Sequence, residues 1–174
     1  MNGHEGARPP AGKREAVARV RIALAGAEEA TTLAAVHRAA FGDKGWSAAA
    51  VRRMLAIEGT EALLARCDDT SACGMIITRL MWEDGEILTL GVRPEYRRLG
   101  IGGRLFASAV NGMVMQGANR VFLEVAETNA AAIALYEAAG FEVMGRRPGY
   151  YLEEDGRRVN ALMMVRVFGQ GCGG

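Results

Sequence analysis

The stretch Leu88-Thr89-Leu90-Gly91-Val92-Arg93-Pro94-Glu95-Tyr96-Arg97-Arg98-Leu99-Gly100-Ile101-Gly102-Gly103-Arg104-Leu105-Phe106 decides how the rest of the chain is read. Residues 88–92 read as a strand, 93–103 as a basic, glycine-rich turn and 104–115 as an amphipathic helix. Leu105, Ala109 and Met113 form one ridge of that helix, with Phe106, Val110 and Val114 beside it. Backbone N–H groups of such a turn converge at the head of the following helix, where the helix dipole adds partial positive charge. The site suits a phosphate or pyrophosphate, and glycine leaves no Cβ in its way. Arg93, Arg97 and Arg98 add mobile positive charge around the same mouth. Two nucleotide motifs do not fit. A P-loop needs Lys-Ser/Thr after its last glycine, whereas Gly103 is followed by Arg104. A dinucleotide fingerprint needs a third glycine where this chain has Leu105. On its own, the turn supports equally an anion site and a plain cap on an ordinary helix.

Working outward, the chain of 174 residues is long enough for one domain with a proper core. Half of it is apolar and a quarter charged, a globular composition. A net charge of +1 gives no global attraction to nucleic acid, so the arginines near position 97 need a local anion. The cysteines are Cys67, Cys73 and Cys172, without a CxxC or a nearby histidine pair. That odd count fits a reducing compartment, argues against zinc and leaves Cys67 and Cys73 as core residues. With only His4 and His37, a histidine-based triad has little material. No apolar run matches a membrane span, and the N-terminal segment has no hydrophobic region of the signal-peptide kind. The expectation is a cytoplasmic protein that engages neither membrane nor nucleic acid.

Along the chain, residues 1–16 read as a disordered tail, 17–168 as the folded domain and 169–174 as a loose end. A strand is expected over 17–24, a helix over 28–40 and a second helix over 48–57 with Ser47 as its N-cap. Strands follow over 62–66 and 73–82, around a turn at Asp68-Asp69-Thr70-Ser71. The Asp-Gly signal places a hairpin turn at Glu83-Asp84-Gly85-Glu86, leading into a strand over 86–92. After the glycine loop come a strand over 120–125 and a helix over 130–139, capped by Thr128 or Asn129. Gly140 stands just past its end. A last hairpin pairs 142–151 with 158–168 across Glu153-Glu154-Asp155-Gly156. The order β-α-α-β-β-β-α-β-α-β-β gives one mixed-sheet α/β domain.

The second half of the chain carries the more specific pattern, Leu123-Glu124-Val125-x-x-x-Asn129 followed by Ala132-x-x-Leu135-Tyr136-Glu137-x-x-Gly140-Phe141. Glu124 stands near the end of a strand whose Phe122 and Leu123 are apolar. Desolvation there would raise its pKa toward the range of a general base, acting directly or through one water. A solvated or arginine-paired glutamate is the bland alternative. Tyr136, a phenol with an ordinary pKa of about 10, suits a donor to a leaving thiolate, and a core tyrosine is its bland alternative. Asn129 lies two helical turns before Tyr136 on the same face, with small Ala132 between, which leaves room for a slender ligand. Helix capping is the bland role for Asn129.

Together with Arg97-x-x-Gly100-x-Gly102, this pattern resembles the RimI-type branch of the GNAT N-acetyltransferases, enzymes that acetylate the N-terminus of a ribosomal small-subunit protein. The resemblance runs from about residue 19 to 167 and is strongest over 90–141. Arg146-Arg147 and Tyr150-Tyr151 also fit it. One departure is Gly45-Trp46-Ser47 where the family often has Pro-Trp-Ser, in a loop that borders the acceptor groove. The resemblance implies acetyl-CoA as the acetyl donor, with no metal. Backbone groups of Leu90, Gly91 and Val92 would serve the pantetheine and the thioester carbonyl. Arg98, Leu99, Gly100, Ile101, Gly102 and Gly103 would wrap the pyrophosphate, and Arg93 and Arg97 would screen the remaining phosphate charge, with a solvated surface arginine as the bland alternative for either. Asn129 would bind a pantetheine amide, Glu124 would be the base and Tyr136 the acid. It further implies direct attack by a protein N-terminal α-amine, with a ribosomal-protein alanine as first candidate. An α-amine titrates near about 8 against about 10.4 for lysine, so it needs less help to lose its proton. Acetylation of a lysine or small amine, and an acetyl-CoA-binding module without turnover, stay open. So do two pairs of roles: a groove wall or a staple for Trp46, and a groove lining or sheet packing for Tyr150 and Tyr151. The acidic run Glu153, Glu154 and Asp155 reads as an attractor of basic peptide or as a solvated hairpin tip.

Overall fold

The computed structural model describes residues 20–67, 72–153 and 156–169. The expected tail over 1–16, residues 17–19 of the expected first strand, the turn at 68–71, the tip at Glu154 and Asp155, and residues 170–174 of the loose end expected over 169–174 lie outside the described residues. The elements are β1 (Arg21–Leu24), α1 (Ala30–Phe41), α2 (Ala48–Leu55), β2 (Thr60–Arg66), β3 (Ala72–Met81) and β4 (Asp84–Val92). They continue as α3 (Ile101–Met115), β5 (Arg120–Ala126), α4 (Ala130–Ala138), β6 (Glu142–Leu152) and β7 (Arg158–Val167). The order is the expected one. The strands form a single seven-stranded sheet in the order β1-β2-β3-β4-β5-β7-β6. Every adjacent pair is antiparallel except β4 and β5.

Helices cover both faces, as the apolar run in β3 requires. Met75 and Ile77 pack with Leu33, Val36 and Val51 on the α1–α2 side. Ile76, between them, packs with Ile101, Leu105, Phe106 and Val121 on the α3 side. Neighbouring β residues point to opposite faces, so a strand buried on both sides reads as continuous hydrophobicity. Ser47 caps α2 by accepting the Ala50 N–H at 3.2 Å, as expected.

Three local readings are corrected. The β3–β4 turn is Trp82-Glu83, because Met81 pairs with Asp84 and Leu80 with Gly85, and Trp82 takes the positive φ of 60°. Gly85 lies inside β4 for a different reason. A Cβ there would come within 2.8 Å of Met113 Sδ, so glycine lets α3 approach the sheet. The helix α3 starts at Ile101, three residues before the expected point, and Gly102 and Gly103 form its first turn. Finally, Cys67 and Cys73 are buried, as expected of core residues, but they also form a disulfide, with their Cα atoms 6.1 Å apart. The β2–β3 pairing, with its register shift at Ala65/Arg66, brings the two together; cysteine spacing alone carries no such information.

Candidate active site

The parallel pair β4–β5 holds only from Asp84↔Arg120 to Ile87↔Leu123, after which the strands part. A β-bulge at the same point sets Thr78 opposite Ile87 and Ile77 opposite Thr89, leaving Leu88 as the extra residue. Into this gap opens a cavity of about 390 Å³. Leu88, Thr89 and Leu90 line one wall and Leu123, Glu124, Val125 and Ala126 the other, with Asn129 and Tyr136 of the α4 segment between them.

Beyond β4 the chain makes a 3₁₀ turn, Pro94–Tyr96. Arg98 and Gly100 then take left-handed backbone, at φ 59° and 78°. Gly100 N-caps α3, so the N–H groups of the first turn lack helical acceptors and face outward. A Cβ on Gly102 would meet nothing closer than Val92 Cγ2 at 3.6 Å, and on Gly103 nothing closer than Leu135 Cδ1 at 3.5 Å. Internal packing does not demand these two glycines; the bare surface they leave is what an approaching anion needs. Gly91 is different, since a Cβ there would crowd Ala40 and Phe41 of α1 at 3.1 and 3.2 Å. The arginines also need correction. Arg97 donates to the Ala40 carbonyl at 2.9 Å and the Val92 carbonyl at 3.3 Å, and Arg93 donates to the Ala72 carbonyl at 2.8 Å. Both side chains hold backbone in place rather than moving around the loop mouth.

On the far wall, the Asn129 Oδ1 accepts the Ala132 N–H at 3.2 Å, a cap that leaves its amide donors uninvolved in that bond. Tyr136 is buried against Phe106 and Phe141 at ring distances of 5.0 and 6.5 Å. Burial, aided by the nearby Tyr151, pushes its phenol up to about 12, well above the ordinary value assumed from sequence. Glu124 is not in a dry apolar setting. Its Oε1 accepts from Arg147 Nη1 at 2.7 Å, and its side chain is 28% exposed. Leu123 turns to the opposite face of β5, and Phe122 shares the face of Glu124 without closing it off, so the carboxylate keeps contact with solvent and with a guanidinium.

The remaining lining comes from distant segments. His37, Phe41, Lys44 and Trp46 arrive from α1 and the turn after it, Tyr151 and Glu153 from the end of β6. Trp46 therefore lines the cavity, and its ring also stacks on His37 with centroids 4.3 Å apart. Lys44 Nζ donates to the Leu152 carbonyl, joining the α1–α2 turn to β6 across the cavity. Of the two tyrosines left open, Tyr151 lines the cavity and Tyr150 lies at 4.3 Å under the Arg147 guanidinium. Burial first, then the Glu124 charge, raises the Tyr151 pKa. Glu153 accepts from Thr128 Oγ1 at 2.8 Å. His37, Thr89, Lys44 and Arg147 were not identified from sequence as site residues. One signal was present for His37, which falls four residues after Leu33 and so on the buried stripe of α1. Among the described residues, no group of His, Cys, Asp and Glu is arranged to hold a metal, and no helix is long and apolar enough to cross a membrane.

Residues 30–141 match the model of the acetyltransferase (GNAT) family. The [ribosomal protein bS18]-alanine N-acetyltransferase of Escherichia coli K12 is 34% identical over 91 residues, 52% of this chain and 62% of that enzyme. The N-alpha-acetyltransferase RimI of Mycobacterium tuberculosis H37Rv is 36% identical over 113 residues, 63% of this chain and 70% of that protein. The crystal structure of the E. coli ribosomal-protein-S18-alanine N-acetyltransferase superposes with a TM-score of 0.81 at 24% identity, covering 88% of this chain and 97% of that one. With parted strands, a glycine-headed helix and a family match over most of the folded region, the chain belongs to the acetyltransferase (GNAT) family.

Proposed function

We propose that the chain transfers the acetyl group of acetyl-CoA to the α-amine of a protein N-terminus, with a ribosomal-protein alanine as the first acceptor to test. The observation that carries this reading is the cleft where β4 leaves β5. Glu124 and Tyr136 are on its walls, and β4, which forms one side of it, leads on through residues 93–100 to the glycine-headed helix α3. The two relatives compared above are N-acetyltransferases acting on alanine or α-amino termini by name, which favours the α-amine over lysine.

In this reading Ile101, Gly102 and Gly103 offer N–H groups to the pyrophosphate of acetyl-CoA, helped by Arg98, Leu99 and Gly100. The β4 edge freed beyond Ile87, comprising Leu90, Gly91 and Val92, pairs with the pantetheine and polarises the thioester carbonyl. Asn129 adds its amide donors, and Arg97 acts by holding Ala40 and Val92 in place. The amine attacks the thioester carbon directly, the C–S bond breaks, and the amine proton ends on the thiol of coenzyme A. Glu124, drawn toward the cleft by its position on β5, accepts a proton from the incoming amine, directly or through one water. Arg147 holds its carboxylate in place. Tyr136 stays protonated and donates a hydrogen bond to the leaving sulfur. A phenol near 12 gives its proton outright only uphill to a thiolate whose acid titrates near about 8.5.

Thiol release from acetyl-CoA, measured with an alanine-starting basic peptide and with the same peptide blocked at its N-terminus, tests the reading. Turnover is expected only with the free α-amine. Glu124→Gln and Tyr136→Phe are each expected to lower kcat by about 100-fold while acetyl-CoA affinity stays near wild type. Full activity in both variants, or equal turnover of both peptides, overturns it.

A further inference from the structure

On the acceptor side of the cavity, a hydrogen-bonded chain runs from backbone to side chain to open space. His37 is 4% exposed, and its Nδ1 accepts the Trp46 backbone N–H at 3.1 Å. A backbone N–H only donates, so Nδ1 carries the lone pair. Burial holds the His37 pKa down at about 4, so the neutral ring carries its single proton on Nε2. Nε2 lies 3.2 Å from Thr89 Oγ1. The direction of that bond follows: Nε2–H donates and the threonine oxygen accepts. The ring plane is fixed by Trp46, stacked within 15°, and by Phe41, tilted at 4.5 Å. With its oxygen already accepting from His37, the Thr89 hydroxyl has its own proton to donate in another direction, and Thr89 lines the cavity.

The bulge in β4 is what makes this contact. Ile87 packs in the α3-side core, with Leu90 and Val92 against it, whereas Leu88 packs with the α1–α2 side. One extra residue resets the alternation, so Thr89 faces α1 rather than sharing the face of Ile87. The cavity thus presents a directed O–H donor on β4, while Glu124 supplies an acceptor on β5. An amine with a carbonyl two bonds from its nitrogen uses both, the nitrogen toward Glu124 and the carbonyl oxygen toward Thr89. A lysine side chain has no such carbonyl.

We propose that the Thr89 hydroxyl binds the first peptide carbonyl of the acceptor and that His37 is the positioning residue that aims it. This rests on the α-amine reading above. The test uses the full chain and two acceptors, an alanine-starting peptide and its analogue with the first amide replaced by an (E)-alkene, which keeps the amine and removes the carbonyl. Thr89→Val is expected to raise KM for the normal peptide by about tenfold, the effect of one lost neutral hydrogen bond. It leaves kcat and the acetyl-CoA KM near wild type and causes no further loss on the alkene analogue. Thr89→Ser keeps the hydroxyl and restores the normal KM. His37→Phe keeps the aromatic stack but loses both hydrogen bonds, and behaves as Thr89→Val. His37→Gln, whose amide accepts from Trp46 and donates to Thr89, recovers most of the loss. The same loss on both acceptors, or none on either, overturns the proposal while normal wild-type turnover leaves the α-amine reading standing. Wild-type enzyme that turns over only lysine side chains, or neither acceptor, overturns both.

Discussion

The glycine loop and the wall of the cavity proposed to take the acceptor are assembled differently. The loop is one continuous run, 93–103, and the role proposed for it rests on its own backbone conformation. The wall is joined by contacts between residues far apart in the chain. His37 meets Thr89 across 52 positions, Lys44 meets Leu152 across 108, and Arg147 meets Glu124 across 23. A backbone site demands a few residue types at fixed local spacing and tolerates variety elsewhere. A side-chain site depends on which segments the sheet brings together, and its chemistry changes with single substitutions. The donor side of such an enzyme is therefore expected to be shared across relatives, and acceptor choice to be set on the other wall.

The sharpest way to break this comparison is Gly102→Asp. Aspartate in the first turn complements the helix dipole, and its Cβ meets only an ordinary contact, so thermal stability is expected to hold or rise slightly. Its carboxylate opposes the pyrophosphate, so acetyl-CoA affinity by calorimetry is expected to fall about 100-fold, with coulombic repulsion at a desolvated anion site as the cause. Unchanged affinity would remove the loop from the donor site. A smaller effect separates the two roles of Asn129. Asn129→Asp keeps an oxygen for the Ala132 N–H and loses the amide donors; acetyl-CoA affinity is expected to drop about tenfold with the melting temperature unchanged. Equal loss of stability and affinity would make capping its only role.

On the acceptor wall, pH is the probe. The folded-state pKa of His37, about 4, lies below its ordinary 6.5, so the folded state excludes the proton that the unfolded chain binds. The stability tied to neutral His37 is complete above pH 6.5 and is lost as pH falls toward 4. Between pH 7 and 5 the wild-type melting temperature is expected to fall by about 3–6 °C more than that of His37→Gln, which does not titrate. Parallel curves for the two proteins would show that the ring is not held neutral. The smallest effect serves as control: Ser47→Ala removes the α2 cap at a cost of about 1 kcal/mol, lowering the melting temperature by about 2–4 °C. Both KM values are expected to stay unchanged, because Ser47 does not line the cavity. A large change in acceptor KM would extend the wall to the start of α2.

Much of the architecture was legible from residue patterns because the signals are local. Alternation in the strands, the Ser47 cap, Gly140 past α4 and the glycine loop each constrain a few consecutive residues, and the element order read from them matches the folded chain. The misreadings have one cause in common. Asp84-Gly85 carries a turn signal, but the contact of Gly85 with Met113 of α3 determines its place in β4. Arg93 and Arg97 look like mobile charge, yet carbonyls of Ala72, Ala40 and Val92 hold them. The Glu124 setting was inferred from chain neighbours, while its partner Arg147 comes from another strand. Cys67 and Cys73 gave no framework, and strand register paired them.

By itself, the sequence determined the order of helices and strands, the Ser47 cap and the presence of a glycine-rich turn ahead of α3, but not the residue where α3 starts or the residues of the β3–β4 turn. What it determined follows from φ/ψ preferences and hydrophobic periodicity within a few residues of each position. Only the tertiary structure decided where β4 leaves β5, which face Thr89 presents and which charges and rings surround the cavity. Those depend on one bulge and on the register of paired strands, a through-space relation between segments that no local pattern encodes.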